Sequence, residues 1–329
     1  MRQLLEKIHI LIPVFNDWES LYLLFESIST SVTSDILRGI SFTIVNDGSM
    51  DRHDQDKLPK NFPISIIELS RNMGSAKAIA IGLAYLSKNQ HAEYILVMDA
   101  DGEDCPDDIE KLVTAARKSP GTIIFGKRAR RHEGIVFIGY YIFYKILFYI
   151  FTGKTISFGN FCIFPESLLQ KLVHVSDIWN HFSGGIIRSK LPYKAIPLER
   201  GKRLQGKSRM NFTTLVLHGL SSIAVNVDIV AIRLLVFTFA LIVFSLAGIS
   251  IVTAVRVFTD LAIPGWATYA VIGLANILLQ AFLLSMVLAF IVLHYRTQRL
   301  FIPAIDYEMY ILNSVHFNKA ENSITSNVT

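Results

Sequence analysis

Four carboxylates crowd the end of one apolar run. In the segment "YILVMDADGEDC" (94–105), Asp99, Asp101, Glu103 and Asp104 follow five apolar residues. Like charges this close disfavour one another's ionisation, so the cluster is unfavourable unless a cation lies against it. Asp99 and Asp101 alternate as the chain leaves the apolar run and can turn toward one ion. Carboxylate oxygens with water suit Mg²⁺ or Mn²⁺, so we predict a divalent cation here that also holds substrate phosphates.

The rest of the acidic segment has a simpler explanation. Acidic side chains are favourable in the first turn of a helix, where the helix dipole is positive. We expect Asp104, Asp107 and Asp108 to begin the following helix. A solvated, helix-capping loop would account for these three residues, but it does not account for the pair at the end of the apolar run.

Two further polar clusters follow apolar runs, "PVFND" (13–17) and "NDGSMD" (46–51). Turn formation alone would explain a composition rich in Asn, Asp, Gly and Ser. The alternative is that Asn16, Asp17 and Asp47 hydrogen-bond the base and ribose of a nucleoside.

A basic segment, "ERGKRLQGKSR" (199–209), carries five basic residues and one acid. A planar guanidinium binds phosphate through two parallel hydrogen bonds, so Arg200 and Arg203 form a candidate anion clamp. A solvated loop that contacts lipid headgroups is the alternative.

The elements that must position these clusters alternate in type. Apolar, β-rich runs are separated by helical patterns near 18–31, 75–90 and 107–118. This alternation predicts the α/β class, with a mostly parallel sheet covered by helices on both faces. Ligands bind such sheets at the carboxyl ends of strands, where the polar clusters fall. The predicted strands are 8–15, 40–47, 64–70, 94–100 and 122–128.

Two long runs without charge follow, residues 234–255 and 266–293. At about 1.5 Å per residue, 22 helical residues cover roughly 33 Å, enough to cross a bilayer core. Core helices of soluble proteins are the alternative, but few are so long and so apolar all round. Arg233, Arg296 and Arg299 flank the pair, so the positive-inside rule predicts a two-span protein with both termini in the cytoplasm. We expect it in the bacterial inner membrane.

Two shorter apolar segments are poor candidates for membrane-spanning helices. Residues 134–153 hold eight aromatics and a single charge, Lys145, and residues 210–227 are dotted with Asn, Thr and Ser. Such segments suit the headgroup layer, so we predict interfacial helices, with a buried core helix as the alternative for the first. The tail beyond residue 312 is polar, and we expect it to be disordered.

Composition excludes several classes of protein. The chain has 329 residues, is 51% hydrophobic and carries a formal net charge of +5. Attraction to an anionic membrane surface explains this charge better than nucleic-acid binding, because no groove-reading motif is present. Two cysteines indicate no disulfide framework, and the N-terminus resembles mature sequence rather than a signal peptide. No P-loop or dinucleotide-binding glycine motif is present.

Together the motifs resemble those of the family-two glycosyltransferases with a GT-A fold. The resemblance is to the polyprenyl-phosphate sugar transferases, of the dolichyl-phosphate mannosyltransferase and GtrB-like kinds. "PVFND" is similar to the family's Pro-Val-Tyr-Asn-Glu, "NDGSMD" to Asp-Asp-Gly-Ser-x-Asp, and "RNMGSAKAIAIGL" to Arg-Asn-x-Gly-x-x-x-Ala. "MDADGEDCPDDI" is similar to Met-Asp-Ala-Asp-Leu-Gln-Asp-Pro-Pro-Glu-x-Ile, and "RGKRLQGKSRM" to Arg-x-x-Arg-x-x-Gly-x-Ser-Lys. The order matches from residue 8 to about residue 225.

The resemblance implies a role for each matching residue. Asp99 and Asp101 would bind the metal and the nucleotide diphosphate, with Glu103 as a further metal ligand. The catalytic residues would be Asp101, Arg128, Arg200 and Arg203. The acceptor phosphate would be held by Arg128, Arg200, Arg203 and Ser208. The nucleotide-sugar would contact Pro13, Phe15, Asn16, Asp17, Asp47, Arg71, Gly74, Lys77 and Asp99.

This chain departs from the family pattern at three positions. Asn46 replaces an Asp of the second motif, and Cys105 replaces a Pro. Asn160 stands where many relatives carry an acidic residue proposed as a base. A phosphate monoester is already ionised near pH 7, so it can attack without giving up a proton.

The resemblance implies an inverting, metal-dependent transferase that moves a sugar from a nucleotide-sugar to a polyprenyl phosphate at the cytoplasmic membrane face. A UDP-sugar is favoured as the donor, and a GDP-sugar is the alternative. One alternative is transfer to a hydroxyl of a glycan or glycolipid, which would need a base. Another is an inactive membrane scaffold. A homo-oligomer could form through Asn276 and Gln280 in the second span. The chain would divide into a nucleotide-sugar part, an acceptor part, a two-span region and a tail, at 1–133, 134–228, 229–311 and 312–329.

Overall fold

The computed structural model describes residues 6–128, 135–153, 158–199, 201, 203–205, 219–259, 265–298 and 300–318. The chain forms two compact units. The sheet unit comprises residues 1–139, 156–225 and 300–329, and the hairpin unit comprises residues 140–155 and 226–299. Arg200, Ser208 and the first half of the predicted interfacial segment 210–227, residues 210–218, lie outside the described residues.

The alternation of strands and helices appears in the first part of the sheet unit as predicted. Strand β1 pairs in parallel with β2 and β4, and β2 pairs in parallel with β3. Helices cover both faces, so the strands are buried on both sides and consist of nearly continuous Ile, Leu and Val. The strands are β1 Ile8–Val14, β2 Ile40–Asn46, β3 Ile64–Leu69, β4 Tyr94–Val97 and β5 Ile123–Arg128.

Helices α1 (Trp18–Ser31), α3 (Ser75–Asn89) and α4 (Asp108–Lys118) lie where the sequence predicts helices, whereas the short helix α2 (Ser34–Leu37) is not predicted. One core, beneath α1 and α4, includes Leu24 and Leu112, and the other, beneath α3, includes Ile79 and Leu83.

Two strands beyond Arg128 complete this side of the sheet. Strand β6 (Cys162–Pro165) inserts antiparallel between β4 and β5, and β7 (Tyr193–Leu198) pairs in parallel with β5. Helices α6 (Glu166–Leu172) and α7 (Phe182–Ser189) connect them. Strand β7 leads directly into the basic segment 199–209, so the position of β7 in the sheet determines where that segment begins.

The expectation of a disordered tail from residue 312 is wrong for residues 312–317. Strand β8 (Ile311–Phe317) pairs antiparallel with β3, after the short helix α10 (Pro303–Asp306), and completes the order β7-β5-β6-β4-β1-β2-β3-β8. His316 Nδ1 lies 2.8 Å from the Ser65 hydroxyl of β3. The strand is polar because it lies at the sheet edge. Its pairing satisfies the backbone, which composition does not reveal.

The hairpin unit contains two helices long and apolar enough to cross a membrane, α8 (Val227–Phe258) and α9 (Trp266–Thr297). Only 17% of the most apolar stretch of α8, and 11% of that of α9, is buried in protein. Core helices of a soluble domain would be mostly buried, so this alternative does not fit. The buried positions of α8 recur every seven residues, as in coiled-coil packing. They are Ala231, Thr238, Ser245 and Val252.

Helix α5 (Ile135–Thr152) ends against α8 within the hairpin unit. Arg233 Nη1 donates to the carbonyl oxygens of Tyr149 (3.3 Å) and Ile150 (2.7 Å), which lie at the negative end of the α5 dipole. The side chains of Tyr149 and Ile150 are more than half exposed, whereas Phe148 is buried. Exposed apolar groups do not fit a core helix, and the interfacial placement of α5 stays a prediction.

Candidate active site

The carboxyl ends of three adjacent strands meet at one edge of the sheet. Asp17 follows β1, Asp47 follows β2, and Asp99 and Asp101 follow β4, and the strand order places β4, β1 and β2 side by side. Parallel strands present their carboxyl ends at one edge, so residues far apart in sequence come together there.

The first two polar motifs are joined by hydrogen bonds. The Asn16 backbone N–H donates to the Ser49 hydroxyl (2.8 Å), and the Asn16 side-chain oxygen accepts from the Met50 N–H (2.7 Å). Asn16 has a φ of 48°, a left-handed conformation that Asn tolerates better than most residues. The motifs "PVFND" and "NDGSMD" therefore form one surface.

The loop after β3 packs on this surface at Gly48. Gly48 has a φ of +71°, and a Cβ there would lie 2.6 Å from the carbonyl carbon of Arg71. Only glycine permits both this conformation and this close approach. The side chain of Arg71 is exposed beside it.

Asp47 is a structural anchor in the described contacts. Its two carboxylate oxygens accept hydrogen bonds from the N–H groups of Met73 (2.6 Å) and Gly74 (2.8 Å), at the start of α3. It is 3% exposed, and this burial raises the pKa of Asp47 against the lowering effect of the two bonds. Because so little of the carboxylate is accessible, Asp47 positions the loop before α3, and its contact with a nucleoside stays a prediction.

The acidic residues after β4 have different structural roles, and one of these roles differs from the sequence prediction. Helix α4 begins at Asp108 with Asp107 at the preceding position, as expected. Asp104 does not begin that helix. Its buried carboxylate accepts from the Asp99 N–H (2.9 Å) and closes the turn, because the backbone leaving β4 bends back over it. Asp101 Oδ1 accepts from the Glu103 N–H (3.0 Å).

Arg203 links two of the strand ends. Its Nη1 donates to Asp101 Oδ2 at 3.0 Å, and its Nη2 donates to Asp17 Oδ2 at 2.9 Å. The three side chains are about one-fifth exposed, so water screens the ion pairs only in part. Burial raises the pKa of Asp101, while the Glu103 N–H and the Arg203 charge act in the opposite direction.

The other predicted residues lie around this edge to different degrees. Arg128 ends β5 and pairs in register with Leu198, which begins the approach to the basic segment. Pro13 and Phe15 lie at the end of β1 and are partly exposed. The roles proposed for these residues stay predictions.

An aromatic cluster beside Lys77 is absent from the sequence predictions. Lys77 Nζ lies 5.3 Å from the centroid of the Trp179 ring, and Trp179 stacks on Phe301 with centroids 3.6 Å apart. Tyr310 packs against both rings. These aromatics come from distant segments with no shared motif, so only the fold brings them to a residue at the start of α3.

The carboxylates at this edge fit a cation held partly by substrate. Among the described residues, no group of three His, Cys, Asp or Glu side chains is close enough to hold a metal ion, so Asp99, Asp101 and Glu103 do not form a preassembled set. Mg²⁺ commonly takes one or two carboxylates together with substrate phosphates. The Arg203 guanidinium already supplies a positive charge beside Asp101, and the role of Asp101 as a metal ligand stays a prediction.

The chain is similar to known proteins in sequence and in structure. The chain is 28% identical over 136 residues to the undecaprenyl-phosphate 4-deoxy-4-formamido-L-arabinose transferase of Photorhabdus laumondii, over 40% of this chain and 40% of that protein. It is 24% identical over 215 residues to an uncharacterized glycosyltransferase of Synechocystis sp., over 63% of this chain and 65% of that protein. The chain thus spans less than two thirds of the length of these relatives.

The fold and family follow from two further matches. The structure of glucosyl-3-phosphoglycerate synthase from Mycobacterium tuberculosis in complex with phosphoglyceric acid aligns with a TM-score of 0.50 at 12% identity, over 68% of this chain and 80% of that chain, which shows a shared fold. The family model described as Glycosyl transferase family 2 matches residues 9–185, more than half of the chain. This range contains all of β1 except Ile8, the strands β2 to β6, and the polar loops that follow β1, β2 and β4. The chain belongs to glycosyl transferase family 2.

Proposed function

We propose that this protein transfers a sugar from a nucleotide-sugar, with a UDP-sugar favoured, to a polyprenyl phosphate at the cytoplasmic face of a membrane. The observation that carries the proposal is the contact of Arg203 with Asp17 and Asp101. It brings the basic segment, suited to a phosphate, against the carboxylates suited to a donor nucleotide.

The polyprenyl acceptor is favoured by the rest of the chain. A long isoprenoid tail must stay in the membrane while its phosphate reaches the site. Helices α8 and α9 are long and apolar enough to cross a membrane, and the chain returns after them to the sheet unit through β8. The chain therefore enters the hairpin unit from the sheet unit and returns to the sheet unit after it. One relative is named as an undecaprenyl-phosphate transferase.

The reaction requires little proton chemistry from the chain. An oxygen of the acceptor phosphate forms a bond to the anomeric carbon, the bond from that carbon to the nucleotide diphosphate breaks, and its electron pair leaves with the diphosphate. In-line attack inverts the anomeric configuration. The acceptor oxygen is already ionised, so Asn160 in place of an acid does not prevent the step.

The residues of the chain position and neutralise the reactants. Asn16 and Asp17 would orient the nucleoside, with Asp47 holding the loop before α3 in place. Asp99 and Asp101 would hold Mg²⁺ or Mn²⁺, which would supply charge neutralisation of the leaving diphosphate. Arg203, with Arg200 and Arg128, would hold the acceptor phosphate, which is positioning work that an enzyme does without covalent chemistry.

Lipid-phase labelling tests this function. The full chain is purified in detergent and incubated with radiolabelled UDP-sugars and GDP-sugars in turn, Mg²⁺ or Mn²⁺, and undecaprenyl phosphate. We expect one UDP-sugar to label the lipid phase, and only when the phosphate is present. Label entering a glycolipid that has a free hydroxyl but no phosphate would replace the proposed acceptor. Absence of transfer and of donor binding would contradict the function.

A further inference from the structure

Arg203 contacts two carboxylates at the candidate active site, Asp101 and Asp17. We propose that Arg203 competes with a divalent cation for Asp101, and that the guanidinium displaced from Asp101 becomes available to the acceptor phosphate. The inference rests on the proposed function, because it concerns the order in which that site is assembled. It predicts that donor binding prepares the acceptor clamp.

The competition follows from the position of the guanidinium. Arg203 Nη1 lies 3.0 Å from Asp101 Oδ2, and the other oxygen of Asp101 accepts from the Glu103 N–H. A cation bound to Oδ2 at about 2.1 Å would lie close to the positive guanidinium. Two positive charges a few ångströms apart in a partly desolvated site repel strongly, so Oδ2 favours one of them at a time.

The second carboxylate explains why the displaced side chain stays nearby. Arg203 Nη2 donates to Asp17 Oδ2 at 2.9 Å. Loss of the Asp101 contact would leave this bond in place and free one edge of a planar group that binds phosphate bidentately. A lysine has one compact charge and cannot bridge two carboxylates through separate nitrogens, so the arrangement depends on arginine.

Backbone contacts tie the basic segment to the acidic turn. The Leu204 N–H donates to the Asp101 carbonyl (2.9 Å), and the Gly201 N–H donates to the Glu103 carbonyl (3.0 Å). The Leu204 side chain covers Gly102, whose φ is +80°. If cation binding shifts the turn, these contacts would transmit the shift directly to the segment that carries Arg203.

The experiment measures Mn²⁺ binding without sugar or lipid. The full chain in detergent is titrated with Mn²⁺, and free Mn²⁺ is followed by electron paramagnetic resonance. We expect Arg203→Gln to bind Mn²⁺ more tightly than the parent, by about tenfold for the loss of one partly screened charge contact. Arg203→Lys keeps the charge but not the bridge, so its gain should be smaller. Arg117→Gln is the matched control, because Arg117 pairs with Glu6 away from the site, and its Mn²⁺ affinity should equal that of the parent.

Two outcomes would overturn the inference. One is an Arg203→Gln variant with an unchanged unfolding temperature that binds Mn²⁺ no more tightly than the parent. The other is tighter binding that persists in the double variant Arg203→Gln/Asp101→Asn, since the ion would then bind elsewhere. Transfer to lipid is measured separately. If the parent transfers sugar but Arg203→Gln does not bind Mn²⁺ more tightly, only the competition is refuted. If Arg203→Gln binds Mn²⁺ more tightly but the parent transfers no sugar, only the proposed function is refuted.

Discussion

The side-chain amide of Asn46 donates a hydrogen bond to the carboxylate of Glu68, its partner in register on the neighbouring strand β3. The Asn46 side-chain oxygen accepts from the Ser49 N–H at 3.0 Å. An aspartate at this position could accept the bond from Ser49, but it would face Glu68 with no proton to donate. The contact explains physically why Asn46 stands where the resembling family carries Asp.

Asn46→Asp should destabilise the fold by about 1–3 kcal/mol at neutral pH, because it removes a hydrogen bond to a charged group and places two carboxylates together. Chemical unfolding measures the change. The double variant Asn46→Asp/Glu68→Gln restores a donor opposite an acceptor and should regain most of the lost stability. If Asn46→Asp is as stable as the parent, the contact with Glu68 is not the reason why asparagine occupies position 46.

Asp101→Asn should lower transfer to lipid phosphate by at least about a hundredfold, because charge stabilisation at a developing leaving group is commonly worth several kcal/mol. The lipid-phase assay measures it, with the unfolding temperature as the check on folding. Asp107→Asn is the matched control, since Asp107 lies in the same turn but is exposed. Its activity should stay within about twofold of the parent. If Asp101→Asn transfers sugar at nearly the parent rate, the predicted catalytic role of Asp101 is wrong.

Buried His9 should make the protein sensitive to acid. Its ring nitrogens lie 2.8 Å from the Thr43 hydroxyl and 2.7 Å from the Ser41 hydroxyl, and burial lowers the pKa of His9 from 6.5 to about 3. Between these values the unfolded chain binds a proton that the folded chain does not. The free energy of unfolding therefore falls as the pH drops below about 6.5, by up to about 1.4 kcal/mol per pH unit.

Unfolding in urea at several pH values between 6.5 and about 5 tests this linkage. The free energy of unfolding should depend less steeply on pH in His9→Asn than in the parent. The difference is up to about 1.4 kcal/mol per pH unit, which corresponds to the binding of one proton. His174→Asn is the control, because His174 is exposed and its described hydrogen bond is with the backbone carbonyl of Gln170 rather than with a carboxylate, and its slope should match that of the parent. Equal slopes in His9→Asn and the parent would contradict a neutral, buried His9.

The aromatic cluster after the hairpin should stabilise the sheet unit. Phe301→Ala removes the ring that stacks on Trp179 and should cost on the order of 1–2 kcal/mol. Leu312→Ala, in β8, removes a side chain that is 72% exposed and should change stability by no more than about 0.5 kcal/mol. Thermal unfolding compares the two variants. A Phe301→Ala variant as stable as Leu312→Ala would show that the cluster contributes nothing to the fold.

The sequence by itself determined the α/β class, the first five strands and the two apolar helices. These features depend on local patterns, since continuous apolar runs mark buried parallel strands and long uncharged runs mark candidate spans. It also placed Asp17, Asp47 and Asp101 at one sheet edge, because strand ends in such folds meet there.

Only the tertiary structure decided which groups contact one another. Strand β8 is polar and pairs with a strand more than 240 residues earlier in the chain, so its local composition resembles that of a disordered tail. Asp104 closes the turn after β4 through the Asp99 N–H, where local sequence suggested a helix start. The bridge from Arg203 to Asp17 and Asp101 joins three segments of the chain. Such contacts depend on where strand β7 delivers the basic segment, and long-range pairing of this kind leaves no periodic signal in the sequence.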